Sequence, residues 1–171
     1  NRKDFPLSPP PNLVDAIGDV YGIGVVPELF DGRGFRPVRR TQKNVGHWEA
    51  LEAALASDAR FIFANFEDFD MLYGHRNDPL GFARALEEFD RRLTGLLDAL
   101  EPEDLLILTS DHGNDPTTPS TDHSREYVPV SLLAHGLTPA TLGDVVGFMA
   151  AGRAVADWLD VEWDLGEQIL G

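Results

Sequence analysis

Apolar residues along the chain form short uninterrupted runs that alternate with longer stretches of helical period. The runs at residues 19–26, 59–66 and 104–110 are typical of buried strands. A fourth run at 127–136 contains Pro129, whose missing backbone N–H predicts an edge strand. Strands that are apolar throughout, rather than at alternate positions, indicate a sheet that is covered on both faces.

The stretches of helical period predict amphipathic helices at 45–57, 78–100 and 141–161. Asp78 is expected to cap the second helix, and Pro79 suits its first turn, where a backbone N–H would have no helical partner. Gly147 and Gly152 are expected to loosen the third helix. Because strands alternate with helices, we predict an α/β fold with a layered, mostly parallel sheet and helices on both faces.

The first residues of the chain are rich in proline and do not follow the strand and helix patterns of the rest. Four prolines lie between positions 6 and 11, so a helix is not expected there. We expect residues 1–11 to be a linker, or the return from another domain. Asn12 is suited to cap a short helix directly after it. Residues 12–171 are then expected to form the α/β core, and they are numerous enough to bury one.

Charge and composition narrow the classes of partner. The sequence has 29 acidic against 14 basic residues, which gives a net charge of −15. Such a chain repels nucleic acids and anionic membranes, so neither is an expected partner, whereas it attracts divalent cations. The sequence contains no cysteine, which excludes a disulfide framework, a thiolate zinc site and a cysteine nucleophile. No apolar run reaches the roughly 20 residues of a membrane span, and we expect a cytoplasmic protein.

Polar side chains come after two of the predicted strands, at the sheet edge where ligands bind in α/β folds. They include acids and histidines, namely Asp70, His75, Asp111, His112, Asp122 and His123. Imidazole combined with carboxylate is the ligand set of Zn, Mn or Fe rather than of Ca or Mg alone. The set is larger than one four-coordinate ion requires, and two ions about 3.5–4 Å apart would use it well. A dinuclear site of this kind suits phosphate-ester chemistry.

Each of these features alone has an ordinary structural interpretation. An Asp-His pair after a strand is commonly a helix cap beside a surface histidine. Arg76 and Arg125 could hold a phosphate bidentately, or could pair with neighbouring acids. The joint occurrence at predicted strand ends favours the metal site. The remaining histidines, His47 and His135, lack an acidic partner of this type in the sequence.

Two segments carry a family resemblance. "NFEDFDMLYGHRNDPLGFARALEEFDRRL" and "LTSDHGNDPTTPSTDHSREYVPV" resemble the phosphopentomutases of the alkaline phosphatase superfamily. The resemblance covers essentially the whole chain but only the C-terminal part of the family's protein, a little under half. It implies a partial alkaline-phosphatase-like core that interconverts ribose 1-phosphate and ribose 5-phosphate, or their deoxy forms, in nucleoside salvage. It also implies two Mn²⁺ ions and a phosphorylated threonine.

The resemblance further implies roles for individual residues. By their positions in the motifs, Asp70, His75 and His123 look like ligands of one metal ion. Asp111 and His112 look like ligands of the other.

Three more residues are candidates for binding a small phosphorylated sugar. Arg76 and Arg125 are candidates for the phosphate, and Asp4 falls where the family has a residue near the sugar. The resemblance places the nucleophilic threonine and one further aspartate ligand in the family's N-terminal part, which these 171 residues do not match.

The sequence also departs from the family pattern inside the matched part. Val25 stands where the family has lysine, and Ser120 stands where it usually has glycine. We therefore expect the metal-binding part of a phosphopentomutase-like enzyme, inactive as 171 residues alone and prone to self-association through an exposed sheet surface. The alternatives are a non-catalytic metal-binding module, or a metal-dependent phosphatase or phosphodiesterase that uses metal-bound water.

Overall fold

A computed structural model describes residues 7–37 and 40–170. The chain folds as two compact units, of which the first ends at Glu67 and the second begins at Asp68. The expected linker at residues 1–11 lies partly outside the described residues, and Asp4 lies outside them altogether. The boundary between residues 11 and 12 stays a prediction.

The first unit combines short strands with helices. Its elements are α1 (Leu13–Ile17), β1 (Tyr21–Ile23), α2 (Val26–Leu29), α3 (Lys43–Leu55) and β2 (Ile62–Ala64). Strands β1 and β2 pair in parallel, with Tyr21 opposite Ile62 and Ile23 opposite Ala64. The side chain of Asn12 accepts a hydrogen bond from the backbone N–H of Asp15 and so caps α1, as the sequence predicted.

Helix α3 supplies much of the core of the first unit. Trp48 and Leu51 are buried, which agrees with the amphipathic helix predicted at 45–57, and the Trp48 ring lies 4.9 Å from that of Phe66. The run at residues 19–26 is shorter as a strand than predicted, because Gly24 turns the chain with a φ of 77°. A side chain at Gly24 would meet the carbonyl oxygen of Asn65 at 2.5 Å, so the turn requires glycine.

The second unit begins with two tight turns in succession. A π-helical turn (Phe69–Tyr73) runs into a 3₁₀ turn (Gly74–Arg76), and the remaining elements are α4 (Pro79–Ala99), β3 (Leu105–Thr109), β4 (Val130–Ala134) and α5 (Met149–Leu159). In α4 the side chain of Asp78 accepts from the backbone N–H of Gly81 at 2.9 Å, which confirms the predicted cap. None of the described helices has both the length and the apolar character needed to cross a membrane.

Strands β3 and β4 pair antiparallel, with Leu105 opposite Ala134 and Thr109 opposite Val130. The expected parallel pairing is therefore found for β1 and β2 but not here. The physical reason is the connection between β3 and β4, which is an irregular loop at residues 110–129 with no helix to carry the chain back for a parallel return. The mixture of strands and helices remains that of an α/β fold.

Helix α5 begins eight residues later than the sequence predicted. Gly143 and Gly147 adopt left-handed backbone conformations with φ of 70° and 83°, which a helix cannot contain. The helix ends at Leu159, because Asp160 is also left-handed. Ala150 and Ala154 of this helix are buried with Ile169, and Ile107 and Leu132 from the strands pack against them.

Candidate metal centre

Three candidate ligands come together in the second unit. The π-helical turn carries Asp70, the 3₁₀ turn carries His75, and the loop at 110–129 carries His123. One ligand atom from each residue lies within 4.8 Å of the others. Nε2 of His75 is 3.2 Å from Oδ2 of Asp70, and Nε2 of His123 is 3.4 Å from Oδ1. Each carboxylate oxygen thus faces one imidazole.

The spacing of these atoms fits a bound cation. Donor atoms about 2.1 Å from one ion lie roughly 3.0–3.4 Å from each other in octahedral or tetrahedral coordination. The two nitrogen–oxygen separations of 3.2 and 3.4 Å fall in that range, each to a different oxygen of Asp70, and one ligand atom from each of the three residues lies within 4.8 Å of the others. Two imidazoles and a carboxylate are also chemically suited to a transition-metal ion such as Mn²⁺ or Zn²⁺.

The loop at 110–129 fixes the orientation of His75. Nδ1 of His75 lies 2.5 Å from the carbonyl oxygen of Thr121. Because a carbonyl only accepts hydrogen bonds, this contact requires the proton on Nδ1, and a neutral ring then has its lone pair on Nε2, the nitrogen nearest Asp70. This arrangement of a ring nitrogen bonded to a backbone carbonyl is typical of histidines that bind metals.

The second predicted pair lies beside this cluster. The rings of His112 and His123 stack with centroids 3.6 Å apart, and Nε2 of His112 is 3.7 Å from Oδ1 of Asp111. An isolated antiparallel bridge between Gly113 and Ser124 holds the two loop segments together. The Asp111 side chain is 70 % exposed, compared with 25 % for Asp70. Asp111 is therefore the most open of the candidate ligands.

A groove of about 370 Å³ adjoins this pair. It is lined by Asp111, His112, Gly113, Ser124, Arg125, Glu126, Tyr127 and Phe148. Arg125 thus lies on the wall of the same groove as Asp111 and His112. Arg76 is exposed, and its guanidinium donates to the carbonyl oxygen of His75 at 3.3 Å.

The other histidines differ from each other. His135 is exposed, whereas His47 is fully buried in the first unit. The sequence shows no Asp-His pair at His47, but the structure brings a glutamate near it, with Nε2 of His47 3.9 Å from Oε1 of Glu67. Twenty residues separate the two, so no local motif shows the pair. Nδ1 of His47 also lies 2.7 Å from the Thr41 hydroxyl, which makes it a structural histidine of the first unit.

Sequence reasoning gave no role to Asn114. Its side-chain Nδ2 donates to Oδ1 of Asp70 at 2.6 Å. Asn114 occurs in the motif "DHGNDP", and its position two residues after His112 was the signal in the sequence.

Comparison with known proteins gives a consistent result. A profile of the Metalloenzyme superfamily matches residues 35–159. The phosphopentomutase of Anaeromyxobacter sp. (strain K) is 48 % identical over 176 residues, which cover 99 % of this chain and 45 % of that protein. The phosphopentomutases of Dictyoglomus turgidum and Deinococcus radiodurans are 44 % and 43 % identical, over 99 % and 96 % of this chain and 45 % and 44 % of their own length. The chain thus spans a little under half the length of these relatives.

Proposed function

Because the chain belongs to the Metalloenzyme superfamily, we propose that Asp70, His75 and His123 hold one divalent cation and that Asp111 and His112 contribute to a second. The observation that carries this proposal is the convergence of three ligand atoms within 4.8 Å. The stacking of His112 on His123 supports a second ion close to the first. We propose Mn²⁺ for both ions, since imidazole and carboxylate donors suit it.

The proposed reaction is that of a phosphopentomutase. A phosphoryl group passes from a phosphothreonine to the free hydroxyl of a ribose or deoxyribose monophosphate, which becomes a bisphosphate. The phosphoryl group at the other position then returns to the threonine, so that the 1-phosphate and the 5-phosphate interconvert. The nucleophilic threonine is supplied from outside the matched residues. Bound divalent cations would stabilise the charge that develops on the transferred group.

The residues of this chain contribute binding and orientation. The Thr121 carbonyl keeps the proton on Nδ1 of His75, so that Nε2 stays available as a ligand. Arg125, on the wall of the groove, can bind a phosphate through two parallel N–H donors. A groove of about 370 Å³ is within the usual range for small-molecule sites, and a pentose phosphate is a small molecule. Arg76 and Asp4 are proposed as further substrate contacts.

We also propose a cytoplasmic location, with a role in nucleoside salvage. Phosphorylated sugars are charged, and charged groups cross a hydrocarbon layer only at a high free-energy cost. The substrate and the enzyme are therefore expected in the same aqueous compartment.

The test measures metal binding and turnover separately. Metal-stripped protein is titrated with Mn²⁺, and free Mn²⁺ is followed by its electron paramagnetic resonance signal. We expect His75→Ala and His123→Ala to weaken binding strongly, whereas the exposed His135→Ala should match the unaltered protein. Equal affinities in all three variants would refute the ligand assignment.

Turnover is followed by ³¹P NMR with ribose 1-phosphate, in the presence of the remaining part of a phosphopentomutase. Appearance of ribose 5-phosphate supports the mutase. Release of inorganic phosphate instead would indicate a phosphatase, and Mn²⁺ binding without either product would indicate a binding module.

A further inference from the structure

The side chain of Asn114 contacts the candidate metal centre directly. Its Nδ2 donates to Oδ1 of Asp70 at 2.6 Å, across a sequence separation of 44 residues. We propose that Asn114 is a positioning residue that sets the orientation of the Asp70 carboxylate for a divalent cation. This inference rests on the proposed role of Asp70 as a metal ligand.

The hydrogen bond constrains a carboxylate that has two different neighbours. Oδ1 of Asp70 receives the amide of Asn114 and also faces His123 at 3.4 Å, whereas Oδ2 faces His75 at 3.2 Å. A carboxylate bound at one oxygen cannot rotate freely about its terminal torsion, which is otherwise a broad one. The donor therefore keeps each oxygen on its own imidazole. A ligand held in place before the cation arrives loses less conformational entropy when the cation binds.

Gly74 in turn fixes the amide of Asn114. A Cβ atom at Gly74 would lie 2.2 Å from Nδ2 of Asn114, 2.6 Å from its Cγ and 2.8 Å from its Oδ1. The amide thus packs directly on the α-carbon of a buried glycine, with no space between them. Gly74 has a φ of −59°, so alanine at this position meets a steric obstacle and no backbone strain.

This packing allows a test that separates hydrogen bonding from volume. Asn114→Ala removes the donor and leaves a space beside Gly74. Gly74→Ala/Asn114→Ala removes the donor and places a methyl group in the space that the amide occupied. Asn114→Leu keeps a side chain of similar shape without a donor. If Asn114 acts only by filling space, the double variant and Asn114→Leu should bind metal as the unaltered protein does.

The experiment is a Mn²⁺ titration of the metal-stripped full chain, with free Mn²⁺ followed by its paramagnetic signal and folding checked by circular dichroism. Outer-shell partners of metal ligands typically contribute about 10–100-fold to affinity. We expect a loss of at least about 10-fold in Asn114→Ala, Asn114→Leu and the double variant alike. Thermal stability should be higher in the double variant than in Asn114→Ala, because the space is refilled.

Two results would overturn the inference. One is an affinity of Asn114→Leu within about twofold of the unaltered protein, and the other is recovery of affinity in the double variant. Asp70→Ala distinguishes this failure from that of the proposed function. If Asp70→Ala loses binding while the Asn114 variants do not, Asp70 is a ligand that needs no positioning by Asn114. If Asp70→Ala binds Mn²⁺ normally, the ligand assignment itself is wrong and this inference fails with it.

Discussion

Gly113 lies where the two histidine-bearing segments of the loop at 110–129 touch. It bridges to Ser124, whose backbone N–H donates to its carbonyl oxygen at 3.1 Å. A Cβ atom at Gly113 would meet the carbonyl oxygen of Ser124 at 2.5 Å and the backbone nitrogen of Glu126 at 2.7 Å. Both obstacles are backbone atoms, which cannot move aside as the end of a side chain can.

The size of the displacement can be worked out from these distances. Ordinary contact begins at 3.4 Å, so Gly113→Ala must separate the two segments by about 0.9 Å at the bridge. Overpacking of this kind costs about 1–3 kcal/mol of folding free energy. It also moves His112 away from His123, whose rings now lie 3.6 Å apart. A misplacement of about 1 Å at a reacting centre can cost about 100-fold in rate.

The prediction is tested by urea unfolding and by Mn²⁺ titration of Gly113→Ala. We expect a loss of about 1–3 kcal/mol in stability together with weaker metal binding. Gly95→Ala is the matched control, because Gly95 lies in α4 and a Cβ there meets nothing within 4 Å. That substitution should raise stability by up to about 1 kcal/mol, since alanine favours a helix more than glycine does. If Gly113→Ala matched the unaltered protein in both measurements, the bridge would not hold the histidines in register.

Two further predictions concern single hydrogen bonds. Asp78→Ala removes the cap of α4 and should lower the free energy of unfolding by about 1 kcal/mol in a urea titration; an unchanged midpoint would contradict the role of the cap. Asp115 accepts from the hydroxyl and the backbone N–H of Thr117, which holds the pKa of its carboxyl below the ordinary value of 3.8. Thr117→Val should raise that pKa toward 3.8 in an NMR titration. Because a lowered pKa stabilises the fold above the ordinary value, the pH-dependent part of the difference in melting temperature should be complete at neutral pH. It should be lost as the pH falls from 3.8 through the lowered pKa of Asp115.

Local features of the fold could be predicted from the sequence. The cap of α4 depends on residues three positions apart, and Asp78 and Gly81 are visible as such in the sequence. The pairing of β3 with β4 depends on which distant segment the chain meets, and apolar runs do not encode direction. The late start of α5 depends on the backbone conformations of Gly143 and Gly147, whereas apolar periodicity continues through both glycines.

In the candidate site, too, some features could be predicted from the sequence and others could not. The histidines and acids could be identified because their chemistry is rare and their positions come directly after predicted strands. The position of Asn114 two residues after His112 placed it near a candidate ligand, but its contact with Asp70 could not be predicted, since an asparagine in a loop has many ordinary uses and Asp70 lies 44 residues away. The contact between His47 and Glu67 could not be predicted either, because the two residues are far apart in the sequence.

The π-helical turn at Phe69–Tyr73 sets a constraint on the length of the chain. It carries Asp70 and delivers the chain to His75, while Met71 and Leu72 between them are exposed. Each residue added to or removed from a helical turn rotates the next part of the chain by a large fraction of a turn, roughly 100° in an α-helix. Substitutions at Met71 or Leu72 should therefore be tolerated, whereas a deletion of either would turn the imidazole of His75 away from the carboxylate. Homologous chains can vary in composition here far more readily than in the count of residues.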